Sequence, residues 1–195
     1  MLKLFQKKVV MNDYGQLLQG FELHGWKPDD SLSQDENMMD LVMLVTRNST
    51  LRQGSMACVF TDSKKNMISV ANNRSLYTSN DSDVHAEIAA LGQACMMGRT
   101  TKGATAYITM PPCKRCFAAL VVAGVKKIVT RRVPPRLITD CAEKEGIEIV
   151  AVSHEGIQQQ TGRINMLIYG DPNGKKRNRD DNNEESQTQK KTKES

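Results

Sequence analysis

Residues 85–87, His-Ala-Glu, and residues 112–116, Pro-Cys-Lys-Arg-Cys, are the two stretches that decide the fold and chemistry of this 195-residue chain. They supply one imidazole and two thiols, His85, Cys113 and Cys116, and this mixture of nitrogen and sulfur ligands suits zinc. Three protein ligands leave the fourth position of a tetrahedral zinc site open for water, as in catalytic sites. The alternatives are a structural zinc site, which would need a fourth protein ligand, and a redox pair of cysteines.

Both stretches are predicted to lie at the first turns of helices. Ser82 or Asp83 can cap the first of these helices, and Glu87 would then lie where free backbone N–H groups favour a carboxylate. Two prolines, Pro111 and Pro112, preset the start of the second helix and place its cysteines one turn apart. Four side chains of the first helix recur at helical spacing and are expected to form its buried face: Val84, Ile88, Leu91 and Cys95.

The rest of the chain alternates between helical and strand patterns. Ser33 and Glu36 have the spacing of a capping box, which predicts a helix ahead of the first strand. The order α-β-β-α-β-α-β-α-β predicts a three-layer α/β domain with a central five-stranded sheet, mixed because the later strands are joined by crossover helices and run parallel. Residues 155–170 are ambiguous, and residues 164–169 are interpreted as a short added strand.

Composition divides the chain into three parts. Residues 1–34 are predicted to be an N-terminal arm, in which Phe21, Leu23 and Trp26 pack on the main domain; a substrate contact is the alternative for Trp26. Residues 35–170 form the domain, and the charged residues 171–195 are predicted to be a disordered tail.

The cysteines and the apolar runs indicate the compartment. The odd number of cysteines, five, argues against a disulfide framework. Cys58, Cys95 and Cys141 are expected to be ordinary buried side chains. No stretch approaches the length of a membrane span or a signal sequence, so we expect a soluble intracellular protein without a membrane partner. The net charge of +5 is a weak indication of anionic partners.

The motifs resemble those of the zinc-dependent cytidine and deoxycytidylate deaminase superfamily. The similarity extends over residues 35–152. It includes residues 35–50, which resemble the first helix of deoxycytidylate deaminases, and residues 103–109 and 123–129 on either side of the Pro-Cys motif. Asn73-Arg74 ahead of residues 85–88 is also similar to tRNA adenosine deaminases. The resemblance implies a cytidine deaminase-like α/β/α sandwich.

The same resemblance implies the roles of individual residues. His85, Cys113 and Cys116 would hold Zn²⁺ and Glu87 would shuttle protons. Asn73, or the adjacent Asn72, would contact the ribose or deoxyribose. Such folds usually associate through helices near the active site, so we expect a homo-oligomer.

Three functions follow as hypotheses. The first is hydrolytic deamination of a free cytosine nucleotide, dCMP to dUMP and ammonia, with phosphate contacts drawn from basic residues. Their candidates are Arg47, Arg52, Arg74, Lys114 and Arg115. The second is deamination of a base within tRNA or single-stranded nucleic acid. The basic residues 175–179 would assist it, and they make a nuclear location the alternative to a cytoplasmic one. The third is a non-catalytic zinc-binding subunit of a deaminase complex.

Overall fold

The computed structural model describes residues 15–51, 54–79 and 81–170. The elements in these ranges are α1 (Gln34–Arg47), β1 (Ala57–Thr61), β2 (Met67–Asn72), α2 (Ala86–Met96), β3 (Thr105–Ile108), α3 (Lys114–Val122), β4 (Lys127–Thr130), α4 (Arg136–Glu145), β5 (Glu148–Ala151) and α5 (His154–Tyr169). Two predicted segments lie outside the described residues. They are the first part of the arm, residues 1–14, and the tail predicted to be disordered, residues 171–195. The boundaries of the three parts stay predictions.

The sheet has the strand order β2-β1-β3-β4-β5. β1 pairs antiparallel with β2 and with β3. The pairs β3–β4 and β4–β5 are parallel, since a crossover helix joins each pair. The predicted mixed five-stranded sheet is therefore confirmed, with its parallel half at the later strands.

Successive strand residues point to opposite faces of the sheet, and each face has its own core. On one face, Cys58 and Phe60 of β1 pack with residues of α2, α3 and α4. On the other, Ala57 and Val59 pack with residues of α1. Helix α5 packs against α1. The domain thus has the predicted helix–sheet–helix layers.

Helix α1 begins as its sequence predicts. The Ser33 side chain accepts a hydrogen bond from the Glu36 N–H, and the Glu36 carboxylate accepts one from the Ser33 N–H, so that the capping box is complete.

The described part of the arm lies against the α1 side of the sheet, where Phe21, Leu23 and Trp26 pack on the core cluster. The predicted packing of these three side chains is confirmed.

Helix α2 differs from its prediction in two respects. His85 is its N-cap residue, without a side-chain cap. Asp83 instead accepts hydrogen bonds from the backbone N–H groups of residues 76–78. The buried face also differs, because small residues allow a closer approach to the sheet than Ile88 or Leu91 would. It consists of Ala86, Glu87, Ala90 and Ala94. Ile88 and Cys95 are exposed, so the prediction that they are buried was wrong, whereas Leu91 is half-buried and packs against the core as predicted.

The last helix corrects the interpretation of residues 164–169 as a strand. They belong to α5, whose Ser153 N-cap side chain accepts a hydrogen bond from the Gly156 N–H. The described buried residues of α5 are Gln160 and Ile164, four positions apart. A helix with so small an apolar face gives little periodic signal in sequence. Its contact with α1 includes a charged pair, Arg163 with Asp40.

Replacing Arg163 by methionine is expected to lower the free energy of unfolding by roughly 3–5 kcal/mol. The guanidinium donates to both carboxylate oxygens of Asp40, at 2.7 and 2.9 Å, and the Asp40 side chain is only 3% exposed. The variant would leave a buried carboxylate without its partner. The matched control is Arg136→Met, which removes an exposed pair with Asp140 and should cost about 0–0.5 kcal/mol. Denaturant unfolding compares the two; equal losses would contradict the prediction.

Candidate metal centre and active-site cavity

His85, Cys113 and Cys116 meet between the N-termini of α2 and α3. His85 is the N-cap of α2, and Cys113 is the N-cap of α3, where its sulfur accepts a hydrogen bond from the Cys116 N–H at 3.5 Å. The Nδ1 atom of His85 lies 3.8 Å from the Cys113 sulfur and 3.4 Å from the Cys116 sulfur. The predicted ligands are thus brought together, and they are the one potential metal-binding cluster among the described residues.

These distances fit a tetrahedral zinc ion. With Zn–S near 2.3 Å and Zn–N near 2.0–2.1 Å, a nitrogen and a sulfur on one tetrahedral ion are about 3.6 Å apart. The observed 3.4 and 3.8 Å lie on either side of that value. The other two histidines, His24 and His154, are exposed and outside the cluster. In the described part of the chain the site therefore offers three ligands, the number expected of a catalytic zinc centre.

Cys116 is the buried member of the trio. Burial and the negative charge of Glu87 raise the pKa of its thiol well above the ordinary value when no metal is present. A coordinated cation has the opposite effect, because a thiol that binds a metal is deprotonated. The position therefore favours a neutral thiol or a metal-bound thiolate over a free thiolate.

Glu87 lies in the first turn of α2 and is 5% exposed. Burial raises the pKa of this carboxyl above its ordinary value. Its own backbone N–H, the charge of His85 and the Cys116 thiol act in the opposite direction. A buried carboxyl beside metal ligands, with its pKa displaced toward neutrality, has the properties of a group that both accepts and returns a proton.

A cavity of about 290 Å³ opens beside these residues. This volume is just below the range of small-molecule sites, roughly 300–1000 Å³. Its lining combines two residues of the ligand trio, His85 and Cys113, with apolar residues and with the polar side chains of Asn73 and Ser82, which we call the polar wall. The described lining residues are Gly54, Met56, Asn73, Ser82, His85, Ala86, Glu87, Ile108, Met110, Pro111 and Cys113.

Asn73 lies in the cavity lining, as its predicted role requires, and Asn72 does not. The Asn73 amide is 2% exposed, and other parts of the chain engage all of its polar positions. Its Oδ1 accepts from the Met56 N–H and the Ser49 hydroxyl. Its Nδ2 donates to the Gly54 carbonyl and the Ser82 hydroxyl. The Asn73 side chain thus connects residues 49–56 with Ser82 through hydrogen bonds.

The basic residues suggested as phosphate contacts lie outside the cavity. Arg47, Arg74, Lys114 and Arg115 are exposed, and none belongs to the lining. Arg52 falls outside the described residues.

Among the remaining cysteines, Cys58 is buried as predicted, while Cys141 is half-buried. Trp26 packs on the opposite face of the sheet and is not a lining residue.

Ser82 was missed as a lining residue by the sequence reasoning, which assigned it to a helix cap. Gly54, Met56 and Met110 were missed as well. They come from loops at the strand ends, where hydropathy gives no periodic signal. The short spacing between Asn73 and His85 could have indicated Ser82 as a lining residue, because the loop that joins these two residues has to pass the cavity.

Comparison with known proteins gives a consistent result. The zinc-binding region of cytidine and deoxycytidylate deaminases, as a protein family, matches residues 32–132. Deoxycytidylate deaminase of Enterobacteria phage T4 is 34% identical over 74 residues, which are 37% of this chain and 38% of that protein. The riboflavin biosynthesis protein RibD of Aquifex aeolicus is 40% identical over 57 residues, 26% of this chain and 15% of that protein. The chain therefore spans well under half the length of these curated relatives.

One solved structure shows the same fold over most of the domain. It is that of dCMP deaminase from the cyanophage S-TIM5 in complex with dCMP and dUMP. The TM-score is 0.54 at 20% identity, and the match covers 65% of this chain and 98% of that one. At this level of identity the likeness concerns the fold.

In the described part of the chain no helix combines the length and the apolar character that a membrane span requires.

Proposed function

The chain belongs to the cytidine and deoxycytidylate deaminase zinc-binding family, and from that premise we propose that it is a zinc-dependent hydrolase converting dCMP to dUMP and ammonia. The observation that carries the proposal is the position of a buried carboxyl, Glu87, in the same cavity as His85 and Cys113, two members of the ligand trio. A structural zinc site has no need of that carboxyl. The dCMP deaminases among the relatives and solved structures support the choice of substrate.

His85, Cys113 and Cys116 would hold the zinc. When bound there, the ion lowers the pKa of a water ligand and supplies a nucleophile at neutral pH. The remaining chemistry falls to the chain itself, which has to bind the base, exclude bulk water and move protons.

Glu87 is proposed as the proton carrier. It accepts a proton from the attacking water and transfers it to N3 of cytosine while the C4–O bond forms. It then carries the second proton to the amine at C4, so that the C4–N bond breaks and ammonia leaves a uracil carbonyl. Burial of the carboxyl favours this cycle, because it reduces the difference in free energy between its charged and neutral forms.

The nucleotide would be arranged along the cavity from its acidic end to its polar wall. The base lies at the Glu87 end, where its reactive carbon meets the metal centre. The sugar lies against the wall that contains Asn73. The titratable residues in the described lining are His85, Glu87 and Cys113, and no lysine or arginine is among them. The phosphate would therefore project outward, toward exposed cations such as Arg74, Lys114 or Arg115.

Ammonia release from a panel of substrates tests the proposal. The zinc-loaded protein is incubated with dCMP, CMP, cytidine and deoxycytidine, and then with tRNA and single-stranded DNA. We expect turnover of dCMP above the others. Turnover of a nucleic acid alone would replace the proposal with a nucleic-acid deaminase. No turnover at full zinc occupancy would favour a non-catalytic subunit.

We also propose that the chain self-associates through α2 and α3. An open groove of about 620 Å³ lies between these helices, lined by Leu91, Ala94 and Val122 among others. Val122 is 89% exposed, and Ile88 and Met96 are exposed on the same pair of helices. Exposed apolar surface of this kind is a common feature of interfaces. Sedimentation equilibrium of the zinc-loaded protein measures the association; a monomer at all concentrations would exclude it.

A further inference from the structure

A second cavity, of about 400 Å³, lies on the face of the sheet opposite the metal centre. Residues of α1 and α5 line its sides, and its floor is apolar. The floor consists of Met39 of α1, Val129 of β4, and Val150 and Val152 at the end of β5. The volume lies within the range of small-molecule sites, roughly 300–1000 Å³. None of the described lining residues is shared with the metal-site cavity.

Gln160 of α5 is the buried polar residue of this lining. It is 2% exposed, and its amide oxygen, Oε1, has no hydrogen-bond partner among the residues that the structure describes. A buried acceptor without a partner lowers the stability of the folded chain, and a ligand that donates a hydrogen bond to it removes that cost. An uncharged N–H or O–H donor suits this buried end of the cavity, since a charged group would lose its hydration there.

The more exposed part of the lining is negatively charged, with three carboxylates and one guanidinium. They are Asp35, Glu36, Glu155 and Arg163. Arg163 donates to both carboxylate oxygens of Asp40, and Lys127 lies 2.8 Å from Asp35, so these charges are already balanced. Glu36 is half-buried and forms no ion pair within the described parts of the chain. Its charge is therefore less screened by water than that of the exposed Glu155.

We propose that this cavity binds an organic cation. Its positive charge lies at Glu36, its apolar body rests on the floor of Met39 and the valines, and an N–H or O–H group at its far end donates to Gln160 Oε1. An anion would be repelled by the excess of carboxylates, and a purely apolar molecule would leave the Gln160 oxygen without a partner. The proposal is independent of the proposed function, because no residue of the metal-site cavity takes part in it.

Tyramine is a suitable probe, since it carries an ammonium group, an aromatic body and a phenol O–H at the opposite end. Its binding to the full-length chain is measured by isothermal titration calorimetry. The same titration is made with phenethylamine, which lacks the phenol oxygen, and with tyrosol, which has a hydroxyl group in place of the ammonium. We expect each analogue to bind roughly 3–10-fold more weakly than tyramine, the effect of one lost polar interaction.

Two variants assign these losses to single residues. Gln160→Met should reduce the affinity for tyramine to that for phenethylamine and leave the affinity for phenethylamine unchanged. Glu36→Gln should remove the preference for tyramine over tyrosol, and it retains the capping box, in which glutamine also serves. The matched control is Gln158→Met, which makes the same change at an exposed position of α5 outside the lining and should alter neither affinity.

The outcomes separate a ligand site from a structural role. Gln160→Met should not lower the melting temperature of the free protein, because the oxygen that it removes has no partner. A lower melting temperature together with a retained preference for tyramine over phenethylamine would make Gln160 a structural residue and overturn the proposal. Failure of the unmodified protein to bind tyramine would overturn it directly. Absence of dCMP turnover would reject the proposed function and leave this result unaffected.

Discussion

Replacing Glu87 by glutamine is expected to lower kcat for dCMP by roughly 10²–10⁴-fold while leaving one zinc bound per chain. Glutamine has nearly the shape of glutamate and fits the same buried position in the first turn of α2, but it cannot accept and return a proton. The ligand trio is formed by other residues, so metal binding should persist. The separation of zinc content from turnover is the signature of a proton carrier.

The matched control for this substitution is Glu155→Gln. Glu155 also lies in the first turn of a helix, α5, but it is exposed and is not part of the metal-site cavity. Metal analysis and ammonia release are measured on both variants with equal zinc loading. Full activity in the zinc-loaded Glu87→Gln protein would exclude the proton-carrier role. Loss of zinc in that variant would show that the carboxyl supports the metal site instead.

Where local chemistry determines an element, the sequence was sufficient to predict it. The capping box at Ser33 and Glu36 is complete, and it begins α1 where the sequence predicts a helix. Cys113 is the N-cap of α3, directly after the two prolines that predict the start of a helix. The ligand trio was predictable for a related reason: the residues of each motif are neighbours in the chain, and both motifs precede helices that pack on the same face of the sheet.

Tertiary packing explains most of what the sequence did not predict. The buried face of α2 is made of alanines because close packing on the sheet, and not the size of the apolar side chains, selects it. Asp83 had the composition of a cap but satisfies loop N–H groups instead, a choice between two partners that spacing alone does not resolve. The hydrogen bonds of Asn73 join segments up to 24 residues apart in the chain, and no local pattern encodes them.

Replacing Cys116 by serine is expected to abolish turnover by removing the zinc. Cys116 is the buried ligand of the trio, and its loss would leave one imidazole and one thiol, too few to retain the ion. Losing a residue that only orients a ligand already weakens metal binding by roughly 10–100-fold, so the loss of a ligand should cost more. After dialysis against a weak chelator, elemental analysis should find zinc in the unmodified protein and almost none in the variant.

Cys95→Ser is the matched control, since Cys95 lies on α2 but is exposed and outside the cluster. A second readout that is independent of activity comes from thermal unfolding. A ligand at 100 times its dissociation constant stabilises the folded state by about 2.7 kcal/mol, so a strong chelator should lower the melting temperature of the unmodified protein and of Cys95→Ser. It should not affect Cys116→Ser, which has no zinc to lose. If Cys116→Ser retained zinc and this chelator response, the metal centre would have to include a ligand outside His85, Cys113 and Cys116.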